Sequence, residues 1–262
     1  MAFQDIIYEK YNNRAKITIN RPEKMNAFTN HTLNEMIMAL QSAWTDKDVG
    51  AIIITAAGNR AFTTGGDQSA SNEAEPQLLE KLPMPNLFAQ LLQTIRTIPK
   101  PVIAAVNGYA IGGGHVIHVV CDLTIASSTA QFGQVGPKVG SFDAGYGSAY
   151  LARIVGEKKA REFWYMCKRY TAEECLQMGL VNAVVPPEKL MEETDKWVDT
   201  IVGYSPTSLA TLKMSFNADT ESVWGIQSMA GIALNMYFST DEALEGKNAF
   251  LEKRPPNYAP YR

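Results

Sequence analysis

With 262 residues, 46% of them hydrophobic and 19% charged, the chain is long enough for one large core or for one domain with a smaller appendage. A formal net charge of -3 provides no basic face for nucleic acid or an anionic membrane, and no apolar run reaches the roughly 20 residues that a membrane span needs. Cys121, Cys167 and Cys175 form no CxxC pair and cannot all be cross-linked within the chain. The opening MAFQDIIYEKYNNRAKITIN lacks the apolar stretch of a targeting signal, so a reducing, cytoplasmic setting is expected.

In chain order, Ile6 to Tyr8 and Ala15 to Ile19 read as short strands around the polar turn Asn12-Asn13-Arg14. Thr32 to Asp46 is predicted to be a helix with Leu33, Met36, Ile37, Leu40 and Trp44 on one face. Ala51 to Thr55 is a continuous apolar run of strand length, broken by the glycine cluster AFTTGGDQ at 61 to 68. Residues Ser69 to Pro85 are polar, punctuated by proline and without period, which predicts a mobile loop placed to act as a lid; a helix from about Asn86 to Ile98 follows. Pro101 to Val106 is the next buried strand. A second glycine cluster, NGYAIGGGH at 107 to 115, then opens a buried helix from Gly114 to Val120. Leu123 to Ala126 and Gln131 to Gln134 continue the strand pattern. From Tyr146 to about Arg254 the sequence is helical in character, with Val181 to Val185 as its one expected strand. Alternation of strands and helices up to about residue 140 predicts an α/β fold with parallel strands joined by crossover helices.

The two glycine clusters carry the chemistry. Glycine lets the main chain approach a ligand closely, and two N–H groups aimed at one carbonyl oxygen stabilise the charge that develops when it becomes an enolate or a tetrahedral adduct. A helix starting at the second cluster adds its dipole to the same point.

These residues resemble the crotonase (enoyl-CoA hydratase/isomerase) superfamily over nearly the whole chain. The resemblance rests on NRPEKMNAF at 20 to 28, AFTTGGDQ at 61 to 68, KPVIAAVNGYAIGGG at 100 to 114, CDLTIAS at 121 to 127 and EKRP at 252 to 255. It implies a spiral of ββα units over residues 1–200 carrying an acyl-CoA site, and a helical region over 201–262 for oligomerisation and CoA capping, in a homotrimer or homohexamer. It also implies a CoA thioester as substrate, no tightly bound cofactor, and oxyanion donors at the N–H groups of Gly66 and Gly113. Gly65, Asp67 and Gln68 flank that site. Asn26 and Ala27 match positions that hold the adenine end of CoA, and Lys253 matches one where a neighbouring subunit meets the CoA phosphates.

The resemblance also shows which reaction is missing. Hydratases of this superfamily carry two glutamates, and the matching positions here are Val116 and Gly136, so simple hydration of an enoyl-CoA is not expected. The remaining carboxylate lies in GPKVGSFDAGYG at 136 to 147, where Asp143 is either a general acid or base or the N-cap of a helix starting near Tyr146. Ser141 is expected to orient it, with Tyr146 as a nearby donor. This stretch resembles two subfamilies, the 2-ketocyclohexanecarboxyl-CoA hydrolases of alicyclic and benzoyl-CoA degradation and the 1,4-dihydroxy-2-naphthoyl-CoA synthases, which open and close a ring through the same thioester enolate. In some synthases bicarbonate replaces a carboxylate near positions matching Gln134, Gly136 and Trp164, so a small anion such as bicarbonate, or a water in its place, is expected in the gap at Gly136. The synthase tyrosines are absent: Ser69 to Pro85 contains none, and the second position is Phe238, beside Tyr237. That absence, with the segments WYMCKRY at 164 to 170 and LKMSFNADT at 212 to 220, favours the hydrolase.

His115 and His118 form an HxxH pair, but no third ligand accompanies them in sequence and no metal is expected. His31 reads as a surface residue at a helix start. A non-catalytic acyl-CoA binder is the alternative from another class; joint retention of Ser141, Asp143, Gln134 and Trp164 argues against it.

Overall fold

The computed structural model describes residues 3–68 and 87–262. The lid expected at Ser69 to Pro85 therefore lies outside the described residues. The chain opens with an antiparallel hairpin of β1 (Ile6–Tyr11) and β2 (Arg14–Ile19), closed by Asn12 and Asn13 with φ of 43° and 61°, the left-handed pair that matches the twist of the strands. Thr29 starts α1 (Asn30–Thr45), its hydroxyl accepting from Thr32 N at 3.2 Å while Thr32 Oγ1 accepts from Thr29 N at 3.1 Å. The expected apolar face holds for Leu33, Met36, Ile37 and Leu40. Trp44 is instead 45% exposed, because the stripe continues through Ala43, which is fully buried.

A spiral of strand pairs follows. β3 (Ala51–Ala56) runs into β4 (Ala61–Thr63), α2 (Leu87–Thr97) leads back to β5 (Val102–Val106) and β6 (Tyr109–Ile111), and α3 (Gly113–Val120) leads to β7 (Leu123–Ser127) and β8 (Gln131–Gly133). Beyond lie α4 (Leu151–Val155), α5 (Glu157–Met166), β9 (Arg169–Thr171), α6 (Ala172–Gln177), β10 (Ala183–Val185), α7 (Leu190–Val202), α8 (Pro206–Ala218), α9 (Ser222–Tyr237) and α10 (Asp241–Leu251). The first strand of each pair joins a six-stranded sheet ordered β1-β2-β3-β5-β7-β10, and the second joins a four-stranded sheet ordered β4-β6-β8-β9. Pairing is parallel except for β1 with β2 and β8 with β9.

β9 corrects the expectation of a single strand after residue 146. It is three residues long, with only Tyr170 turned inward against Phe132, too short to show a period. The unbroken apolar runs AIIIT and PVIAAV are explained by burial on both faces. Ile52, Ile54, Val102, Ala104 and Val106 pack into the main core, while Ala51, Ile53, Ile103 and Ala105 pack on α7. Buried Arg14 clamps α7 through Asp195, at 2.7 Å, and Asp199.

No helix among the described residues is long and apolar enough to cross a membrane. The C-terminal helices are tied into the strand core. Lys213 on α8 donates to Ile95 O at 2.9 Å, Lys100 O at 3.0 Å and Asp122 Oδ2 at 2.7 Å, and Asp122 Oδ2 also accepts from Val102 N at 2.7 Å. The lysine is buried and the aspartate side chain 27% exposed, so water screens part of the pair. Lys213→Met strands two carbonyls and one carboxylate, and urea unfolding is expected to show a loss on the order of 2 kcal/mol. An unchanged midpoint would mean that α8 contributes nothing to the core's stability.

Candidate active site

β4 and β6 lie side by side, Ala61 opposite Tyr109 and Thr63 opposite Ala110 with an irregularity between, so the turns that follow them meet. Gly65 turns with φ 91°, and a Cβ there would stand 3.1 Å from Gly113 N. Phe28 pins the first turn. Its N–H donates to Gly65 O at 2.9 Å and its carbonyl accepts from Asp67 N at 2.9 Å, a one-residue parallel bridge that turns the N–H of Gly66 away from Phe28. Gly113 is the first residue of α3 and has no intrahelical acceptor for its own N–H. Neither Gly66 N nor Gly113 N makes a hydrogen bond among the described residues; Gly66 is exposed and Gly113 half-buried. Phe28 and Phe88, stacked with centroids 5.2 Å apart, cover Gly113 from one side. The arrangement offers two unspent donors and the positive end of a helix to an incoming oxygen.

Asp143 precedes a π-helical turn, Tyr146–Tyr150. Its Oδ1 accepts from Gly145 N at 3.1 Å and Gly147 N at 2.7 Å, and its Oδ2 accepts from Gln227 Nε2 at 3.3 Å. Gly145, not Asp143, is the N-cap of the turn; Asp143 Oδ1 holds the turn from two positions ahead, and Oδ2 is left with a single long bond. Ser141 is not among its partners. Gln227, from α9, occupies the role expected of Ser141, and its Oε1 accepts from Tyr146 N at 2.8 Å. Burial pushes the Asp143 carboxyl above the usual carboxylate range, and the three donors pull it back only in part. A Cβ on Gly147 would stand 2.9 Å from Asp143 Oδ1 and 2.9 Å from Val116 Cγ2. Asp143 Oδ1 and the side chain of Val116, one turn along α3 from Gly113, thus both border Gly147.

The other expected residues divide. The gap anticipated at Gly136 is not open, because a Cβ there would meet Ser141 O at 2.5 Å and Trp164 Cζ3 at 2.9 Å. Trp164 Nε1, expected to hold bicarbonate, donates to Gly147 O at 2.6 Å, and Gln134 Nε2 lies 3.3 Å from His115 Nδ1. Trp164 thus braces the Asp143 loop and Gln134 meets His115, and the space at Gly136 does not fit an anion. Asn26, 1% exposed, is turned inward, accepting from Arg21 N and donating to Ala57 O and Ala61 O at 2.8–2.9 Å. Its side chain fixes the turn that carries Phe28. The Ala27 carbonyl accepts from Arg21, which also meets Asp67 at 3.2 Å. Gln68 is half-buried at the edge of the described residues. Tyr146 directs its hydroxyl to Gln93 Oε1 at 2.9 Å and lies under Arg96, so it is engaged away from Asp143. Lys253, exposed at the end of α10, makes no ion pair among the described residues. Phe238 is exposed, and Tyr237 packs on Phe142 with centroids 5.6 Å apart.

A comparison with protein families gives a match to the enoyl-CoA hydratase/isomerase model over residues 9–260. Solved structures similar to the chain include an enoyl-CoA hydratase from Mycobacterium avium subsp. paratuberculosis, at 26% identity and TM-score 0.86, covering 98% of this chain and 100% of that one. An enoyl-CoA hydratase/isomerase from Pseudoalteromonas atlantica matches at 26% identity and TM-score 0.88, with the same coverage. An enoyl-CoA hydratase from Bacillus anthracis matches at 27% identity and TM-score 0.75, covering 97% of this chain and 99% of that one.

Behind the site, the rings of His115 and His118 meet edge to face at 4.9 Å, fully buried, with no partner for either Nε2. No group of three or more metal-ligating side chains occurs among the described residues. Burial pushes the His115 pKa down to about 3 and that of His118 well below its ordinary value, so both are neutral in the fold. An unfolded chain takes up protons on these rings below about pH 6.5 while the folded chain does not. Stability is therefore expected to fall as pH drops from 6.5 toward 3, by up to about 1.4 kcal/mol per pH unit for each ring. Urea midpoints from pH 7.5 to 4.5 test this, and His118→Gln is expected to flatten the slope.

Proposed function

This chain belongs to the enoyl-CoA hydratase/isomerase family of the crotonase superfamily and processes an acyl-CoA, and from its site we propose that it opens the ring of an alicyclic β-keto acyl-CoA by hydrolysis, giving an open-chain dicarboxyl mono-CoA ester. One observation supports this above others. The two positions that carry glutamates in the family's hydratases hold Val116 and Gly136, while a buried carboxylate, Asp143, borders the same glycine, Gly147, as the Val116 side chain. A single acid–base group suits a reaction in which one proton leaves water and later returns to carbon.

In the proposed mechanism the thioester oxygen lies between the N–H groups of Gly66 and Gly113. Asp143 Oδ2 takes a proton from water as the water oxygen bonds to the ring ketone carbon. The bond from that carbon to the α-carbon then breaks, and its electron pair passes into the thioester as an enolate held by the two donors. The former ketone carbon leaves as a carboxylic acid, and the proton on Asp143 returns to the α-carbon. We further propose that Lys253 meets CoA phosphates across an assembly of three or six copies. The outward apolar side chains Leu212, Met214, Phe216, Met229, Met236 and Phe238 on and just after α8 and α9 support such an assembly.

Mass-spectrometric product analysis decides the reaction. 2-Ketocyclohexanecarboxyl-CoA is expected to give pimeloyl-CoA, and crotonyl-CoA no hydration product; conversion of o-succinylbenzoyl-CoA to dihydroxynaphthoyl-CoA would instead establish the ring-closing synthase. Asp143→Asn is expected to lower kcat about 10²–10⁴-fold with CoA binding retained, and unchanged turnover would remove Asp143 from the mechanism. Analytical ultracentrifugation is expected to show a particle three or six times the 28.9 kDa chain mass, reduced by Phe216→Asp with Met229→Asp; a wild-type species at 28.9 kDa would overturn the assembly.

A further inference from the structure

We infer that Gln227 positions the Asp143 carboxylate so that Oδ2 is the oxygen that accepts the proton, which makes the docking of α9 a condition for a working base. The inference rests on the reading of Asp143 as the base.

The argument starts from the amide. Gln227 is 4% exposed and wedged so tightly into the loop that a Cβ on Gly145 would fall 2.1 Å from its Oε1. The N–H of Tyr146 can only donate, so the amide atom 2.8 Å from it is the oxygen, and Nε2 is left facing Asp143. Among the described residues every hydrogen-bond partner of the carboxylate is then a donor: Gly145 N and Gly147 N on Oδ1, and Gln227 Nε2 on Oδ2. None of them is an acceptor placed to hold a carboxyl proton. Oδ1 carries two N–H groups, one at 2.7 Å, whereas Oδ2 carries one bond at 3.3 Å and keeps a lone pair for water.

Among the described residues no charge competes for this control, since burial and these three donors are the influences on the group. On α3, His115 and His118 are neutral. On α2, Arg96 is held by Thr220 and the rings of Tyr146 and Tyr150. Before α9, Glu221 faces Tyr146; Lys138 faces Cys167; and Glu242 on α10 faces Tyr237. Among the described residues a neutral amide is the one side chain that adjusts the carboxyl.

The test is Gln227→Glu, which keeps the acceptor for Tyr146 N but sets a second carboxyl against Oδ2, so the two must share a proton. The acid limb of kcat/KM on 2-ketocyclohexanecarboxyl-CoA is expected to move up by about one pH unit or more. The Asp143 carbon resonance, assigned with Asp143→Asn, is expected to titrate higher by a similar amount in ligand-free protein. Gln227→Met, which keeps the volume and removes the donor, is expected to shift both in the same direction with kcat down about tenfold. A residue that only supports the fold would lower the melting temperature without moving either. Unchanged titration in both variants overturns the inference. Full turnover in Asp143→Asn would overturn the base reading instead, while the ligand-free titration would still decide whether Gln227 sets the carboxyl.

Discussion

The site depends on how closely α3 approaches β4. A Cβ at Gly114 would fall 2.0 Å from Thr63 O, so helix backbone lies directly on strand backbone with only hydrogen atoms between. That contact places the unbonded first turn of α3 beside Gly65 and Gly66, and any larger residue at 114 would push the two turns apart by more than a hydrogen bond tolerates. The parallel pairing of β4 with β6 supplies the register, and the bridge from Phe28 supplies the orientation of Gly66. Phe28 is held in turn by Asn26, whose three hydrogen bonds join the preceding turn to the ends of β3 and β4. A residue matched to CoA binding thus acts on the site through the backbone.

A second constraint acts on Asp143. Burial favours the protonated carboxyl, while three donors and no acceptor favour the carboxylate. The opposition leaves a group that gains a proton more readily than an exposed aspartate and gives it up again, as the proposed cycle requires. A nearby cation would have abolished this balance by holding the carboxylate ionised. Arg96 on α2 is instead stacked on the rings of Tyr146 and Tyr150.

The sequence made much of this legible, for physical reasons. AIIIT and PVIAAV are apolar throughout because both sheet faces are covered, and the glycine turns stand out because backbone-to-backbone contact tolerates no side chain. The absence of glutamate at 116 and 136 needs no structure to be seen. What escaped depends on long-range packing. β9 is three residues long and exists through its pairing with β8, and Trp44 lies one position off the buried stripe of α1. The gap at Gly136 is filled by Trp164, 28 positions away, and no local pattern announces that contact. Gln227 is 84 residues from Asp143 on a helix that also carries Ser222, Ser228 and Asn235, so nothing local in the sequence singled it out.

The source of the carboxylate has a consequence for control of the reaction. A glutamate at position 116 would stand on α3 itself, the helix whose first residue is Gly113. Asp143 stands on a loop whose shape is kept by Trp164 from α5, which takes the Gly147 carbonyl, and by Gln227 from α9, which takes Tyr146 N. The proposed base is thereby held by two helices outside the β-strand spiral, and α9, from which Gln227 reaches inward, also carries Met229 and Met236 on its outer surface.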